Sequence, residues 1–423
     1  MPSTPGRAAA ALTVCVTLLA TDAAAQQAGR RPFASTREDE ASAPTMTFVF
    51  AASVHEGHGD QAGGSDVASG GRNPYYTGGQ FDAAFTRRIE RLVLSAAATG
   101  GARYHGDVRE VTSVGHAATV GAELLVGRAR LQASHAYRDN PFRQLLPQLG
   151  AAGEATRTGS NPDLALSSTH NVQQASTLGW SRGIGRRSEL AFNYGYATTK
   201  IESATAQTVQ QGGSAFRHRI GRGLELKLGH QARLFEDLQH GTGERVIAHD
   251  LDFGIDLDRE LSFSRRTRIG FTSGSSIVSN DVGRRVVATG QASLKREIAR
   301  TWNAVAAYAR KVDFIEGLPD PVIGHTASFG LGGNWGRRFA VTMRGAAGSG
   351  TVGLDSSGTY RSITADTRGS VALGSALTWY LEHFYYRHTV SGAFLPAGVP
   401  PQAVRQGVRM GIDLKLDAIR RRR

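Results

Sequence analysis

The chain has 423 residues and carries 49 Lys and Arg against 36 Asp and Glu, a net charge of +13, with 52 Gly and one Cys. A single cysteine excludes a disulfide framework, and beyond the N-terminus no apolar run reaches the roughly 18 residues of a transmembrane helix. The basic charge alone is compatible with nucleic acid, but no helix or aromatic stacking platform carries it, so no nucleic-acid partner is expected.

The first 25 residues have the composition of a secretory signal peptide. Arg7 supplies the positive start, residues 8–20 are apolar, and residues 23–25 offer an A-x-A cleavage site. Cys15 lies inside the apolar stretch, and its alternative role as a lipoprotein cysteine is disfavoured because Val14 is too large for that processing step. The sequence therefore predicts an exported protein that relies on no disulfide.

Three further segments follow from composition. Residues 26–43 are polar and mixed in charge, which predicts a flexible lead-in. Residues 44–418 are predicted to form one β-domain. Residues 419–423 end in four arginines and are predicted to be a basic tail, solvated or in contact with phosphate or lipid headgroups.

The clearest secondary-structure signal lies in residues 246–276. Ile247, Leu251 and Phe253 are among the apolar residues that alternate with polar residues such as Asp250 and Asp252. Alternation with a period of two predicts β-strand. After a short polar break the alternation resumes at Ile269, which predicts an antiparallel hairpin.

The same unit recurs along the chain with turns spaced by roughly 35 to 45 residues. Long connections are predicted between the hairpins, at residues 138–171, 198–213, 234–245, 278–285, 316–325, 349–358 and 389–402. The count is about eighteen strands of roughly ten to fourteen residues, with sixteen as the alternative. A tilted membrane-spanning strand needs ~9–11 residues, whereas globular strands usually have about five or six.

We therefore predict an all-β fold: a closed antiparallel up-and-down transmembrane β-barrel, with short periplasmic turns and long extracellular loops. The competing interpretation is a soluble β-sandwich, whose outer faces also alternate. Strand length disfavours it, and so does the need to manage free sheet edges, which only closure removes.

Aromatic residues are sorted along the predicted strands. All four tryptophans lie near short turns and many tyrosines lie near long loops, as in the two interfacial belts of a membrane protein. The alternative is that aromatic residues are simply good strand formers, which does not account for the sorting. The predicted aromatic girdle comprises Trp180, Trp302, Trp335, Trp379, Tyr137, Tyr196, Tyr308 and Tyr385.

In a membrane barrel the apolar face contacts lipid and the polar face lines the lumen. The polar faces here are strongly charged, and they also include Glu189, Arg233 and Glu382. The candidate lumen-facing residues are Glu225, Lys227, Asp250, Asp252, Asp256, Arg268, Asp366, Arg368, Arg405, Arg409 and Asp413. The excess of positive charge predicts a modest preference for anionic solutes.

Two motifs have little weight. Residues 348–353 match G-x-G-x-x-G, but turn sequence follows them instead of the helix that a dinucleotide site requires. His55, Glu56, His58 and Asp60 form a candidate metal cluster without H-E-x-x-H spacing, and they are predicted to lie in a solvated loop. No catalytic signature is present, so no enzyme activity, cofactor or metal is expected.

Residues 261–276, the turn Leu294–Trp302 and the pair Tyr385-Tyr386 resemble a loosely defined group of bacterial outer-membrane β-barrels. The resemblance covers roughly residues 80–416, and some members are similar to barrels thought to accompany exopolysaccharide export. Such barrels usually end on an aromatic residue, whereas this chain ends in arginines.

The resemblance and the strand pattern lead to one functional expectation, an outer-membrane channel for small polar solutes or a component of envelope polysaccharide export. The alternative is a non-conducting barrel whose extracellular loops bind a partner. The expected partners are outer-membrane lipid and lipopolysaccharide, the barrel-insertion machinery, and small polar or anionic solutes.

Overall fold

The computed structural model describes residues 46–59, 75–105, 110–141, 170–201, 206–221, 224–237, 245–257, 267–281, 283–298, 301–314, 320–356, 358–392 and 401–421. The predicted signal peptide and lead-in, and most of the long connection at residues 138–171, lie outside them. Within the described residues, no helix has the length and hydrophobicity of a membrane span.

Eighteen strands make up the described chain. They are β1 (Met46–Gly59), β2 (Tyr75–Ile89), β3 (Leu92–His105), β4 (Glu110–Val126), β5 (Ala129–Pro141), β6 (His170–Gly183), β7 (Ser188–Ile201), β8 (Ala206–Gly221), β9 (Leu224–Asp237), β10 (Arg245–Leu257), β11 (Thr267–Asn280), β12 (Gly283–Glu297), β13 (Trp302–Asp313), β14 (Val322–Trp335), β15 (Phe339–Val352), β16 (Gly358–Ala372), β17 (Leu377–Ser391) and β18 (Gln402–Arg421).

The strands form one closed antiparallel sheet. Each strand pairs with its neighbours in sequence, and β1 closes the ring by pairing with both β2 and β18. The predicted fold class is confirmed, including the count of eighteen. The strands have 12 to 20 residues; most lie within the predicted ten to fourteen, and seven are longer. Because the first and last strands pair with each other, neither of them is a free edge strand.

Strand alternation puts apolar side chains on the outside of the ring. In β10, Leu251, Phe253 and Ile255 are exposed, and the register sets Phe253 beside Leu228 of β9. On β11, Phe271 lies opposite Ile255 and is also exposed. Large apolar side chains are exposed in this way on strand after strand, and a soluble monomer rarely exposes so continuous an apolar surface.

The two ends of the ring differ. The turn end carries short connections such as 127–128 and 336–338, where Gly127 and Gly336 adopt a positive φ that favours glycine. The loop end carries the connections that follow the odd-numbered strands. The connection predicted at 278–285 is shorter than expected, because β11 runs to Asn280 and β12 begins at Gly283.

Several predicted boundaries need correction. Most of the connection predicted at 198–213 is strand, because β7 runs to Ile201 and β8 begins at Ala206. Residues 55–59 were predicted to begin a loop but continue β1, because both neighbouring strands pair with them: His58 lies opposite Tyr75 on β2 and Val408 on β18. The boundary between barrel and basic tail at residues 418 and 419 falls inside β18, whose Arg420 pairs with Thr47.

Candidate functional site

The interior of the ring is the candidate site, and the charged candidates lie on its face. Ten of them lie on the inner face of the sheet, the face that does not carry the exposed apolar side chains. They are Glu225, Lys227, Asp250, Asp252, Arg268, Asp366, Arg368, Arg405, Arg409 and Asp413. Asp256 belongs to β10, but its side chain lies outside the described part of the structure. That these residues line a solute pathway remains a prediction.

A charge ladder crosses three neighbouring strands on this face. The Glu382 carboxylate on β17 accepts hydrogen bonds from Arg409 Nη2 on β18 at 2.7 Å and from Arg368 Nη1 on β16 at 3.4 Å. Arg368 also pairs with Asp413, and its guanidinium lies 3.8 Å from the centre of the Tyr380 ring. Two cations thus meet two anions, so this stretch of wall has no net charge with which to select anions.

The centre of the ladder is buried, whereas Arg368 and Asp413 at its other end are 27% and 31% exposed. The side chains of Arg409 and Glu382 are 5% and 10% exposed. Charges this deep are tolerated only where each is paired and hydrogen-bonded, because removal from water costs several kcal/mol per ion. The ladder therefore acts as a fixed cross-brace between β16, β17 and β18.

A second ion pair lies on the same face across the ring. Arg233 of β9 donates from Nε and Nη2 to the two oxygens of Asp250 on β10, at 2.8 and 3.1 Å. This two-pronged geometry is the strongest form of an arginine–carboxylate pair. The remaining nitrogen, Nη1, donates to the backbone oxygen of Val312 on β13, at 2.9 Å.

An apolar cluster lies in the interior beside this pair, at the loop end. Rings of Phe235 and Phe314 stack with centres 5.0 Å apart and planes within 8°. Around them pack residues from six consecutive strands, β9 to β14, and all are buried. The cluster comprises Phe235, Val246, Ala248, Val278, Val287, Val312 and Ile323, with Val209, Phe314 and Leu354 against it.

Inward side chains nearer the turn end have different surroundings. Gln132, Asn193, Asp252 and Arg217 are all exposed although they occupy the inner face. The Arg130 side chain, which pairs with Glu123 at 3.1 Å, is 54% exposed. On this side of the ring, the inner face is therefore exposed to water toward the turn end, and apolar side chains cover it at the loop end.

All eight predicted girdle residues lie on the outer face. Each is either the register partner of an outward apolar residue or an even number of positions from one on the same strand. The four tryptophans lie toward the turn end and the four tyrosines toward the loop end. Trp335 is the most exposed of them, at 76%. Their contact with a membrane interface remains a prediction.

The two weak motifs form no site in the described residues. His55 is buried on the inner face of β1, whereas His58 points outward, so the two imidazoles cannot share a metal ion. No group of three or more potential metal ligands occurs among the described residues. Of the G-x-G-x-x-G stretch, residues 348–352 are part of β15 and are paired on both sides.

Sequence reasoning missed the apolar cluster, because it assigned apolar residues to the outer face. A signal was present in the sequence. Near the loop end, β10, β11 and β12 carry consecutive apolar residues where alternation fails: 246–248, 277–278 and 286–287. A strand that is apolar on both faces has both faces covered. Tyr380 and Arg344, which also lie on the inner face near the ladder, were likewise not among the candidates.

The fold and interior define a closed antiparallel β-barrel with an apolar exterior and a charged interior. No protein-family model matches the sequence, and no curated protein sequence matches it. Similar solved structures include the FrpB iron transporter of Neisseria meningitidis, at 9% identity and a TM-score of 0.44, covering 87% of this chain and 81% of that one.

Two others are OccAB4 of Acinetobacter baumannii and the siderophore receptor PirA of Pseudomonas aeruginosa. OccAB4 has 7% identity and a TM-score of 0.43, covering 88% of this chain and 98% of that one. PirA has 8% identity and a TM-score of 0.40, covering 88% and 81%. At these identities, function has to be argued from this chain's own residues.

Proposed function

We propose that the protein is an outer-membrane channel that conducts small polar solutes through its interior. The observation that carries the proposal is a closed ring of eighteen strands with a largely apolar outer face and a polar inner face, which is charged on many of the strands. Lipid is the solvent that suits the outer face. Rings of sixteen to eighteen strands are wide enough to leave an aqueous channel.

The charged side chains of the interior suit polar solutes, but they favour neither anions nor cations strongly. The ladder residues neutralise one another, and so do Arg233 and Asp250. Arg217 on β8 likewise has an anionic partner, Glu225 on β9, at 3.9 Å. We expect weak selectivity of either sign.

A narrower form of the proposal is that the conducted molecule is a polysaccharide. Its support is the resemblance of the turns to export-associated barrels. Adding soluble oligosaccharides to a conducting channel separates the two forms. Transient blocking that lengthens with oligosaccharide size favours the polymer, and unchanged current favours small solutes.

The second candidate is a non-conducting barrel whose loops bind a partner. The apolar cluster favours it, because seven buried residues occupy the loop end of the interior. Reconstitution in planar lipid bilayers decides between the candidates. The channel proposal predicts discrete current steps in salt solution, and their absence from protein that shows heat-modifiable mobility in detergent gels would leave the non-conducting barrel.

A further inference from the structure

The wall of the barrel is incomplete between β12 and β13. Their register runs from Glu297–Asn303 to Gly290–Arg310 and ends there. Yet β12 continues to Gly283 in pairing with β11, and β13 continues to Asp313 in pairing with β14. All of these residues are described, so a seam separates residues 283–289 from residues 311–313 at the loop end.

Beyond the seam, the end of β13 turns into the lumen. Val312 and Ile323 pair with each other and occupy outward positions, like Tyr308 and Phe329 on the same two strands. Tyr308 and Phe329 are 46% and 51% exposed, whereas Val312 and Ile323 are 1% and 7% exposed. Val312 and Ile323 can be buried at outward strand positions only if this end of β13 and β14 is displaced toward the interior.

The contact between Arg233 and Val312 gives the size of the displacement. Their strands, β9 and β13, are four steps apart in the ring. At about 4.8 Å a step, the separation along the wall is roughly 19 Å. An arginine side chain is much shorter than that, yet Arg233 Nη1 lies 2.9 Å from the Val312 oxygen. The end of β13 therefore reaches across the interior.

A further contact holds the same side. Arg285, on the part of β12 that lacks β13, donates from Nη1 to Leu354 O at 3.0 Å and to Ser356 Oγ at 2.7 Å. Both acceptors belong to the connection between β15 and β16. At the loop end, residues of β13 to β16 and their connections thus contact the inner face of β9 to β12.

We propose that residues 311–314 and 322–324 form a gate for the channel, and the inference rests on the proposed conduction. In the closed position they complete the apolar cluster. In the open position β13 continues its register along β12, so that Thr289 faces Lys311 and Ala288 faces Val312. New backbone pairs then offset the lost apolar contacts, which is how two packings of one segment stay close in free energy.

The height of the seam fits this gate. The pairing between β12 and β13 ends two residues beyond Tyr308, a girdle candidate, on its loop-end side. Unpaired backbone is not tolerated in contact with the hydrocarbon of a bilayer. Above the tyrosine band, water satisfies the free edges, and β13 can join or leave β12 without exposing polar backbone to lipid.

Paired cysteines test the gate, and the only native cysteine, Cys15, lies in the predicted signal peptide. Phe235→Cys with Phe314→Cys, joined by a short bis-methanethiosulfonate reagent that reacts with both thiols, fixes the gate across the lumen. Thr289→Cys with Lys311→Cys captures it against β12 as a disulfide formed with a mild oxidant. Ser293→Cys with Ala307→Cys is the matched control, because these residues are already paired below the seam.

Conductance in planar bilayers is measured for each variant before and after cross-linking. We expect the first pair to lower the open probability about tenfold, the second to raise it by a similar factor, and the control to change neither. Reduction with dithiothreitol or cleavage of the linker restores the starting current.

Two results separate the possible failures. If all variants conduct and cross-linking changes none of them, or the second pair never cross-links, the gate is wrong and the channel stands. If no variant conducts, including the second pair after cross-linking, the proposed channel itself fails.

Discussion

The interior contains two regions that are held together differently. At the loop end, β9 to β14 meet through an apolar cluster with one ion pair beside it. On the opposite wall, β16 to β18 are joined by the ladder of Arg368, Glu382, Arg409 and Asp413. The cluster and the Arg409–Glu382 pair at the centre of the ladder are both buried, but only the ladder depends on directional, charge-assisted bonds.

That difference indicates which region can move. Apolar contacts are non-directional and are individually weak, so a segment can exchange one set for another at modest cost. A buried charge that loses its partner has no comparable alternative. The ladder is therefore expected to be the rigid wall of the barrel, and the cluster its adjustable part.

The largest expected effect comes from breaking the ladder. Glu382→Gln removes the negative charge that lies between Arg368 and Arg409, and it replaces one of the two accepting oxygens with an NH2 donor. We expect a loss of about 3–5 kcal/mol in the free energy of unfolding. Urea unfolding in detergent micelles, followed by circular dichroism, measures it. A loss under roughly 1 kcal/mol, the value of an exposed pair, would remove the contrast between the regions.

The next effect tests the assignment of strand residues to an outer, lipid-facing side and an inner side, on which the description of both regions depends. Phe253→Arg places a charge on the outer wall and should cost about 2–4 kcal/mol in a bilayer. Asp252→Arg, one residue away on the inner face, should cost far less because its side chain is exposed to the interior. Unfolding of the two variants in lipid vesicles compares them, and equal costs would contradict the assignment of faces.

A smaller effect is expected within the cluster. Val278 is fully buried there, and Val278→Ala removes two methyl groups, at about 0.8 kcal/mol each. We expect a loss of about 1.5 kcal/mol and a higher open probability, since the cluster favours the closed position. The control is Ile277→Ala on the outer face of the same strand. Greater opening in the control than in Val278→Ala would argue against the cluster as the closing element.

The smallest effect concerns an ion pair in the open part of the interior. Glu123 and Arg130 are 3.1 Å apart, but their side chains are 30% and 54% exposed. Glu123→Gln should cost about 0–1 kcal/mol, and the cost should fall as salt is added. A cost near that of Glu382→Gln would mean that burial is not what distinguishes the ladder.

Much of the fold could be predicted because alternation is a local property. The period of two in residues 246–276 gives the strand, the hairpin and the two faces without any knowledge of distant residues. It also puts all eight girdle residues on the same side of the sheet. Strand ends were predicted less well. Residues 55–59 have the glycine and histidine content of a loop, but pairing with β2 and β18 keeps them extended.

The cluster could not be predicted because it depends on where β13 lies relative to β9. Val312 alternates in the sequence like any outward residue, and only the contact with Arg233 across the ring reveals its position. The ladder was partly predictable. The charges of Arg368, Glu382, Arg409 and Asp413 were assigned to the inner face, but their mutual pairing depends on the register between strands.

Labelling of single cysteines along β10 tests the alternating wall most directly. Positions 251, 252, 253 and 255 are each replaced by cysteine, and the protein is inserted into lipid vesicles and treated with a membrane-impermeant maleimide. We predict strong labelling at 252, whose native side chain is exposed on the inner face, and weak labelling at 251, 253 and 255. Uniform labelling at all four positions would contradict a barrel with lipid outside and water inside.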